Sequence, residues 1–139
     1  MKGRKEYTVE KFMTKAVVTV SPDVSVTECA KIMARRKVGS AIITAKGRIV
    51  GIVTENDISR KSVAAGLDAK STRISRIMSK DVVTISPEMP LYDAMIRLGQ
   101  RRIKHLPVVK KGKLVGIITA MDLLRIQPAY IDMLSYPLL

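Results

Sequence analysis

Apolar and polar positions follow the same order twice along this chain. In the first copy, residues 16–20 form a β-branched run that predicts a strand, which stops at a Ser-Pro-Asp turn signal. Ser25 then stands three residues before Glu28, the spacing of a capping box, so a helix should follow. The predicted face of that helix consists of Val26, Cys29, Ala30, Met33 and Lys37.

Two further strands and a second helix should complete the first copy. The predicted elements are a strand at residues 38–44, a turn at 45–47, a strand at 48–53 and a helix at 55–63. Gly47 allows a positive φ in the tight turn, and Gly66 is a suitable helix end. Thr54 marks the passage from strand to helix.

Residues 77–125 repeat this order. Shifted by 65 positions, residues 12–60 lie on residues 77–125 without a gap, and about 15 of about 49 positions are identical. Pro90 stands at the entrance of the first helix, where proline is tolerated. Its predicted buried face is Leu91, Ala94, Met95 and Leu98. The other predicted elements are strands at 81–85, 103–109 and 114–118, a turn at 110–112 and a helix from residue 119.

The predicted fold class is α+β, with two pseudo-symmetric repeats of the order β-α-β-β-α. Each repeat should be a small sheet packed with two helices. The predicted boundaries are residues 8–66 for repeat one, 67–75 for a connector, 76–126 for repeat two and 127–139 for an apolar tail. The tail has Asp132 as its one charged residue, so we expect it to dock on the body or on a second subunit.

Composition favours a protein of the cytoplasm. The chain is 47% hydrophobic, but no apolar run approaches the roughly 18 residues of a membrane span, and no signal peptide is recognised. Cys29 is the single cysteine, which excludes an intrachain disulfide and fits a reducing compartment. Asparagine occurs once and glutamine twice, a scarcity that resembles heat-adapted proteins.

The formal charge of +13 is concentrated in a few stretches. Residues 31–48 hold six basic side chains and no acid, and residues 97–113 hold seven and no acid. Such stretches attract phosphates, nucleic acids and acidic protein surfaces, although they also suit a solvated surface that keeps a protein soluble. Only five aromatic residues are available for base stacking, which disfavours a nucleic-acid-binding protein without excluding it.

The strongest local motif is Gly-Ile-Val-Thr-x-x-Asp at residues 51–57, repeated as Gly-Ile-Ile-Thr-x-x-Asp at 116–122. A threonine hydroxyl and the first-turn amides of a helix together form a seat for phosphate. An aspartate one turn later suits the two hydroxyls of a ribose. Thr-x-x-Asp is also close to a capping box, which needs no ligand, and duplication would copy a cap as readily as a site.

The chain resembles a tandem pair of cystathionine-β-synthase (CBS) domains, the arrangement called a Bateman module, over residues 8–126. The resemblance rests on residues 12–22 and 77–87, on Lys-His-Leu-Pro-Val-Val at 104–109, and on both Gly-Ile-x-Thr-x-x-Asp segments. It implies a regulatory module that binds AMP, ADP, ATP or S-adenosylmethionine in two clefts, needs no cofactor and pairs into homodimers.

The resemblance also implies which residues form each cleft. In one cleft, Thr119 and Asp122 would hold phosphate and ribose, with Lys104 and His105 near the phosphates. The adenine there would lie against Lys15, Ala16, Val17, Val38 and Gly39. In the other cleft the corresponding residues are Thr54, Asp57, Gly39 and Ser40, with Lys80, Asp81, Val82 and Ile103 around the base. Because a basic pair favours phosphates, we expect the Thr119 cleft to bind phosphorylated ligands more tightly.

No catalytic or metal constellation is evident. With one histidine and one cysteine, the chain offers no metal-ligand cluster and no nucleophile–base pair, so we expect no enzymatic activity. Cys29 should be structural, and His105 is either a half-buried strand residue or a phosphate contact. The preferred hypothesis is an adenine-nucleotide sensor that acts through a homodimer on an unknown effector protein. The alternatives are a nucleic-acid-binding protein and a vestigial module with empty clefts.

Overall fold

The computed structural model describes residues 7–126, which contain five α-helices and five strands. The helices are α1 (Val9–Phe12), α2 (Val26–Arg36), α3 (Glu55–Asp57), α4 (Leu91–Arg101) and α5 (Ala120–Ile126). The strands are β1 (Thr19–Val20), β2 (Ser40–Ala45), β3 (Arg48–Thr54), β4 (His105–Lys110) and β5 (Lys113–Thr119). A π-helix at Ile58–Val63 continues α3, and Ile74–Arg76 forms a 3₁₀ turn. The fold class is therefore α+β, with two small sheets and helices, as predicted.

Two compact units divide the described residues. One unit is Val17–Val82, and the other consists of residues 7–16 together with residues 83–126. The units therefore cut across the repeats seen in the sequence. The leading segment of repeat one, residues 8–16, belongs to the unit that holds most of repeat two, and the leading segment of repeat two, residues 76–82, belongs to the unit that holds most of repeat one. The boundaries predicted for the repeats and their connector describe the sequence pattern and stay a prediction.

The Val17–Val82 unit is built on a three-stranded sheet of order β1-β2-β3, with β1 parallel and β3 antiparallel to β2. Ser79 extends this sheet by an antiparallel bridge to Ile52, with N–H···O distances of 2.8 and 2.9 Å. The predicted connector contributes to the core, because Ile74 is buried with the apolar face of α2.

The other unit has the same plan on the β4-β5 hairpin. Ile85 bridges Val108 in parallel, and Thr14 bridges Ile117 in antiparallel. Val9 of α1 is fully buried in the core of this unit. The segment that opens repeat one in the sequence therefore packs on the hairpin of repeat two.

A methionine of each leading segment packs directly on a glycine of the neighbouring strand. A Cβ added at Gly116 would lie 2.5 Å from Met13 Sδ, and one added at Gly51 would lie 2.5 Å from Met78 Sδ. The backbone oxygen of Thr14 would lie 3.0 Å from the added atom at Gly116. The glycine that opens each Gly-Ile-x-Thr motif is thus required by a close approach of two chain segments.

The two long helices form where their patterns predict them. Ser25 caps α2 by accepting a 3.0 Å hydrogen bond from Glu28 N, and Pro90 precedes α4. The predicted buried face of α4 is confirmed in full, and that of α2 is buried at Val26, Cys29 and Met33. The prediction was wrong for Lys37, which is exposed and ends α2 in the left-handed conformation with φ 56°.

Both hairpins turn through two-residue loops with positive φ at each residue. Lys46 and Gly47 have φ of 53° and 74°, and Lys111 and Gly112 have φ of 50° and 77°. This geometry matches the twist of the flanking strands. The predicted turns are confirmed, although the strands before them begin about two residues later, because left-handed caps end the preceding helices.

Three predicted elements differ from the structure. Of the strand predicted at residues 16–20, only Thr19–Val20 is paired, because the chain enters the Val17–Val82 unit just before it. The strand predicted at 81–85 is reduced to the bridge of Ile85, since the chain changes unit at residues 82–83. The helix predicted at 55–63 has the right extent but becomes a π-helix, in which Ala64 N donates to Ser59 O five residues earlier.

No helix within residues 7–126 is long and apolar enough to cross a membrane. The predicted apolar tail, residues 127–139, lies outside the described residues.

Candidate functional site

Each unit contains one corner where its last strand passes into a helix. The first corner, residues 54–57, joins β3 to α3, and the second corner, residues 119–122, joins β5 to α5. These corners carry the Thr-x-x-Asp segments that the sequence marks as candidate ligand sites.

The first corner is a complete capping box. Thr54 N donates a 2.9 Å hydrogen bond to Asp57 Oδ2, and Asp57 N donates a 3.3 Å bond to Thr54 Oγ1. The Thr54 hydroxyl also lies 3.2 Å from Asp57 Oδ2 and can donate to it. The capping interpretation that the sequence left open is therefore correct for this corner, and Oδ2 of its carboxylate is already in use.

The second corner has the same reciprocal bonds. Thr119 N donates to Asp122 Oδ2 at 3.0 Å, and Asp122 N donates to Thr119 Oγ1 at 3.1 Å. Within residues 7–126 the other oxygen, Asp122 Oδ1, has no hydrogen-bond or ion-pair partner. The cap thus leaves half of this carboxylate available to accept from a ligand.

The amides at both corners are less available than the motif suggested. Glu55 N donates to Gly39 O at 3.1 Å, and Ala120 N donates to Lys104 O at 2.9 Å. The third amide of each turn, that of the aspartate, is used by the cap. Of the first-turn amides expected to form a seat for phosphate, at most the second amide of each turn is therefore left for one.

These backbone bonds bring several predicted residues to the corners. Ser40 pairs with Thr54 across β2 and β3, and His105 pairs with Thr119 across β4 and β5. Ser40 is buried, His105 is half-buried and Lys104 is exposed. A small neutral pair therefore precedes the first corner and a basic pair precedes the second, as the alignment of the repeats implied.

The remaining predicted residues are divided between the units. The Val17–Val82 unit holds Val17, Val38, Gly39, Ser40, Thr54, Asp57, Lys80, Asp81 and Val82. The other unit holds Lys15, Ala16, Ile103, Lys104, His105, Thr119 and Asp122. Through the bridges of Ser79 and Thr14, the exposed residues Lys80 and Lys15 follow segments that are paired beside β3 and β5.

One residue at the first corner was missed by the sequence reasoning. Lys61 Nζ lies 3.1 Å from Asp57 Oδ1 and donates a 3.4 Å hydrogen bond to Ile77 O. In repeat two the corresponding position is Ile126, which cannot form such a pair. The i, i+4 spacing of Asp57 and Lys61 was the available signal, and the comparison with Ile126 would have marked it as a difference between the corners.

The remaining candidates for chemistry among the described residues are side chains that could bind a metal ion or act as a nucleophile. No cluster of three or more His, Cys, Asp or Glu side chains suited to a metal ion exists among residues 7–126. Cys29 is buried in the core of its unit, where burial raises its pKa from 9.0 to about 11. A thiol in this state is a poor nucleophile, in line with its expected structural role.

Comparisons with known proteins agree with the duplicated architecture. A model of the CBS domain family matches residues 9–64 and again residues 74–129. The CBS domain-containing protein YhcV of Bacillus subtilis is 36% identical over 115 residues, which span 83% of this chain and 81% of YhcV.

Two solved structures add information about ligands and assembly. The CBS domain pair of protein MJ0100, in complex with 5′-methylthioadenosine and S-adenosyl-L-methionine, matches with a TM-score of 0.79 and 27% identity, covering 88% of this chain and 96% of that one. The hexameric CBS-CP12 protein from bloom-forming cyanobacteria matches with a TM-score of 0.79 and 30% identity, covering 90% of this chain and 74% of that one.

Proposed function

The chain contains two CBS domains and belongs to the CBS domain family, and we propose that it is a regulatory module that binds an adenosyl ligand. The ligand is AMP, ADP, ATP or S-adenosylmethionine, held at the Thr-x-x-Asp corners. Ligand binding shifts the protein between conformations, and an effector protein reads the change. A cytoplasmic location and the absence of catalysis belong to the same proposal.

The observation that carries this proposal is the open oxygen of Asp122. Its carboxylate uses Oδ2 for the cap and keeps Oδ1 without a partner among the described residues. A carboxylate oxygen in this position can accept from a ribose hydroxyl without breaking the cap. The adenosyl ligands of the MJ0100 pair, which has the same fold, support this class of ligand.

The basic residues near the second corner support a phosphorylated ligand there. Lys104 is exposed, and its carbonyl is bonded to the first amide of α5, which fixes its backbone beside the corner. The predicted roles of His105 at the phosphates and of Lys15 and Ala16 beside the base stay part of the proposal. So do those of Val17, Val38, Gly39, Lys80, Asp81, Val82 and Ile103.

Thermal melts with each of the four ligands test the proposal. A ligand at about one hundred times its Kd stabilises the folded state by about 2.7 kcal/mol, so the melting temperature should rise by several degrees. CMP and inorganic phosphate are matched controls that lack adenine. If none of the four adenosyl compounds raises the melting temperature above these controls, the proposal is wrong.

A nucleic-acid-binding function is the second candidate, and the net charge of +13 favours it. Exposed basic residues lie at the end of α2 and in both hairpin loops, including Arg36, Lys46 and Lys111. Salt separates the two functions, because affinity for nucleic acid falls steeply between 50 and 200 mM salt. Stabilisation by AMP should survive the same change, since it depends on a few short contacts.

A homodimer is also part of the proposal. The hexameric assembly of the CBS-CP12 protein supports self-association by this fold. Two exposed apolar side chains, Val63 and Met121, lie on the helical segments that follow the corners and offer surface for it. Repeating the melts at two protein concentrations tests this point, because the melting temperature of a dimer rises with concentration.

A further inference from the structure

We propose that Lys61 is an internal latch on the first corner, which takes a ribose only when the Lys61 ammonium group is displaced from Asp57. The inference rests on the proposed adenosyl-binding function and concerns which corner is filled first. Lys61 then determines which of the two corners a ligand occupies first. The second corner binds the ligand without displacing a lysine.

The contacts of Asp57 carry this inference. Its Oδ2 accepts from Thr54, and its Oδ1 lies 3.1 Å from Lys61 Nζ, so each carboxylate oxygen already has a donor. The Asp57 side chain is 16% exposed, which limits the room for an additional donor. A ribose hydroxyl at this corner must therefore compete with a charged amine for the same oxygen.

A second contact holds the lysine in place. Lys61 Nζ also donates to Ile77 O at 3.4 Å, on the segment that leads to the bridge of Ser79 with Ile52. The ammonium group thus connects the carboxylate with the backbone that runs beside the corner. Its side chain is still 49% exposed, so it can swing into solvent when a ligand replaces it.

The second corner of the same chain has no lysine contact of this kind among the described residues. The repeat places Ile126 where the first corner has Lys61, and Asp122 Oδ1 has no partner among residues 7–126. The threonine–aspartate cap itself is the same at both corners. The side chain four residues after the aspartate, Lys61 at the first corner and Ile126 at the second, therefore decides whether this Oδ1 already has a partner among the described residues.

Isothermal titration of Asp122→Ala variants isolates the first corner. In that background we compare Lys61→Met, which keeps the aliphatic stem, with the unchanged Lys61. Adenosine is the main probe because it has no phosphate that the lost charge could affect. We expect Lys61→Met to strengthen adenosine binding about fivefold, the effect of removing a partly exposed ion pair.

Arg60→Met is the matched control, because Arg60 is an exposed cation next to Lys61 with no contact to Asp57 among the described residues. It should leave adenosine affinity unchanged, which separates the latch from a general loss of charge. The reciprocal change, Ile126→Lys in a chain with intact Asp122 and with Asp57→Ala, should weaken binding at the second corner. Circular dichroism melts establish that each variant is folded.

The outcomes distinguish the latch from the function on which it rests. If the unmodified protein binds adenosyl ligands but Lys61→Met leaves the first corner unchanged or weaker, the latch is overturned and the function stands. If the Asp122→Ala protein binds nothing and Lys61→Met restores binding, the latch is supported in its strongest form. If no variant and no unmodified protein binds any of the four adenosyl ligands, both proposals fall.

Discussion

Cys29 shows at the scale of one residue how burial sets chemistry. Its thiol is fully buried in the core of the Val17–Val82 unit, with Sγ 3.9 Å from Met33 Sδ. Burial disfavours the thiolate and raises the pKa to about 11. The helical spacing of residues 26–33 predicted this burial, because one apolar face of a helix can be identified from sequence alone.

A pH dependence of stability follows from this pKa. Below pH 9 the thiol is protonated in both states, and between pH 9 and 11 only the unfolded chain releases the proton, so stability falls as pH rises. The nearly isosteric variant Cys29→Val lacks this loss. Relative to Cys29→Val, the unmodified protein should lose about 2 kcal/mol of unfolding free energy between pH 8 and pH 10.5.

Urea denaturation at the two pH values measures this difference. Lysine and tyrosine titrations are common to both proteins and cancel in the comparison. A gap between the two proteins that stays constant from pH 8 to pH 10.5 would contradict the assigned pKa.

At the scale of elements, the leading segment of each sequence repeat packs on the hairpin of the other repeat. This packing explains why two separate motifs are each repeated. Met13 and Gly116 belong to different repeats in the sequence, yet they are in contact, as are Met78 and Gly51. The Met-(Ser/Thr)-Lys motif and the Gly-Ile-x-Thr motif are thus two sides of one contact. Each constrains the other because the glycine leaves room for the methionine.

Gly116→Ala should therefore destabilise the protein by about 1–3 kcal/mol, since its Cβ would meet Met13 Sδ at 2.5 Å and Thr14 O at 3.0 Å. Denaturation of a double-mutant cycle with Met13→Ala measures the effect. In the Met13→Ala background the cost of Gly116→Ala should shrink, because the flexible side chain that clashes has been removed. Strictly additive costs would show that the two residues do not interact.

The elements that the sequence predicted well are those decided by neighbours along the chain. Helices α2 and α4 follow from apolar spacing and a cap, and both hairpin loops follow from their glycine. The paired length of β1 and the bridge of Thr14 to Ile117 depend on partners far away in sequence. Lys61 was missed although it lies only four residues after Asp57, because a long side chain has many rotamers and the spacing alone does not fix which one it adopts.

At the scale of the molecule, the compact units and the sequence repeats are different divisions of one chain. Ile74 and Ile77 complete the core of the Val17–Val82 unit, although both lie outside the residues 8–66 predicted as repeat one. Conversely, Val9 lies in that repeat but is buried in the other unit. An isolated sequence repeat therefore lacks part of its core and carries a segment with no partner.

Two fragments of similar length test this division. Residues 17–82 should show more helix and a more cooperative urea transition than residues 8–66, because only the first contains Ile74 and Ile77. Circular dichroism at low temperature ranks the two fragments even if both are marginally stable. An equal or higher helix content for residues 8–66 would contradict the units described for the intact protein.

The packing of residues 7–16 with residues 83–126 also constrains the order of folding during synthesis on the ribosome. Residues 7–16 are synthesised before residues 17–82, so their partners at 83–126 begin to appear only after the whole Val17–Val82 unit has been translated. At about 5–20 residues per second, this delay is roughly 3–13 s. During that time Val9, which is fully buried in the folded protein, has no core to pack into. The nascent chain therefore exposes an apolar segment to which a chaperone at the exit tunnel can bind.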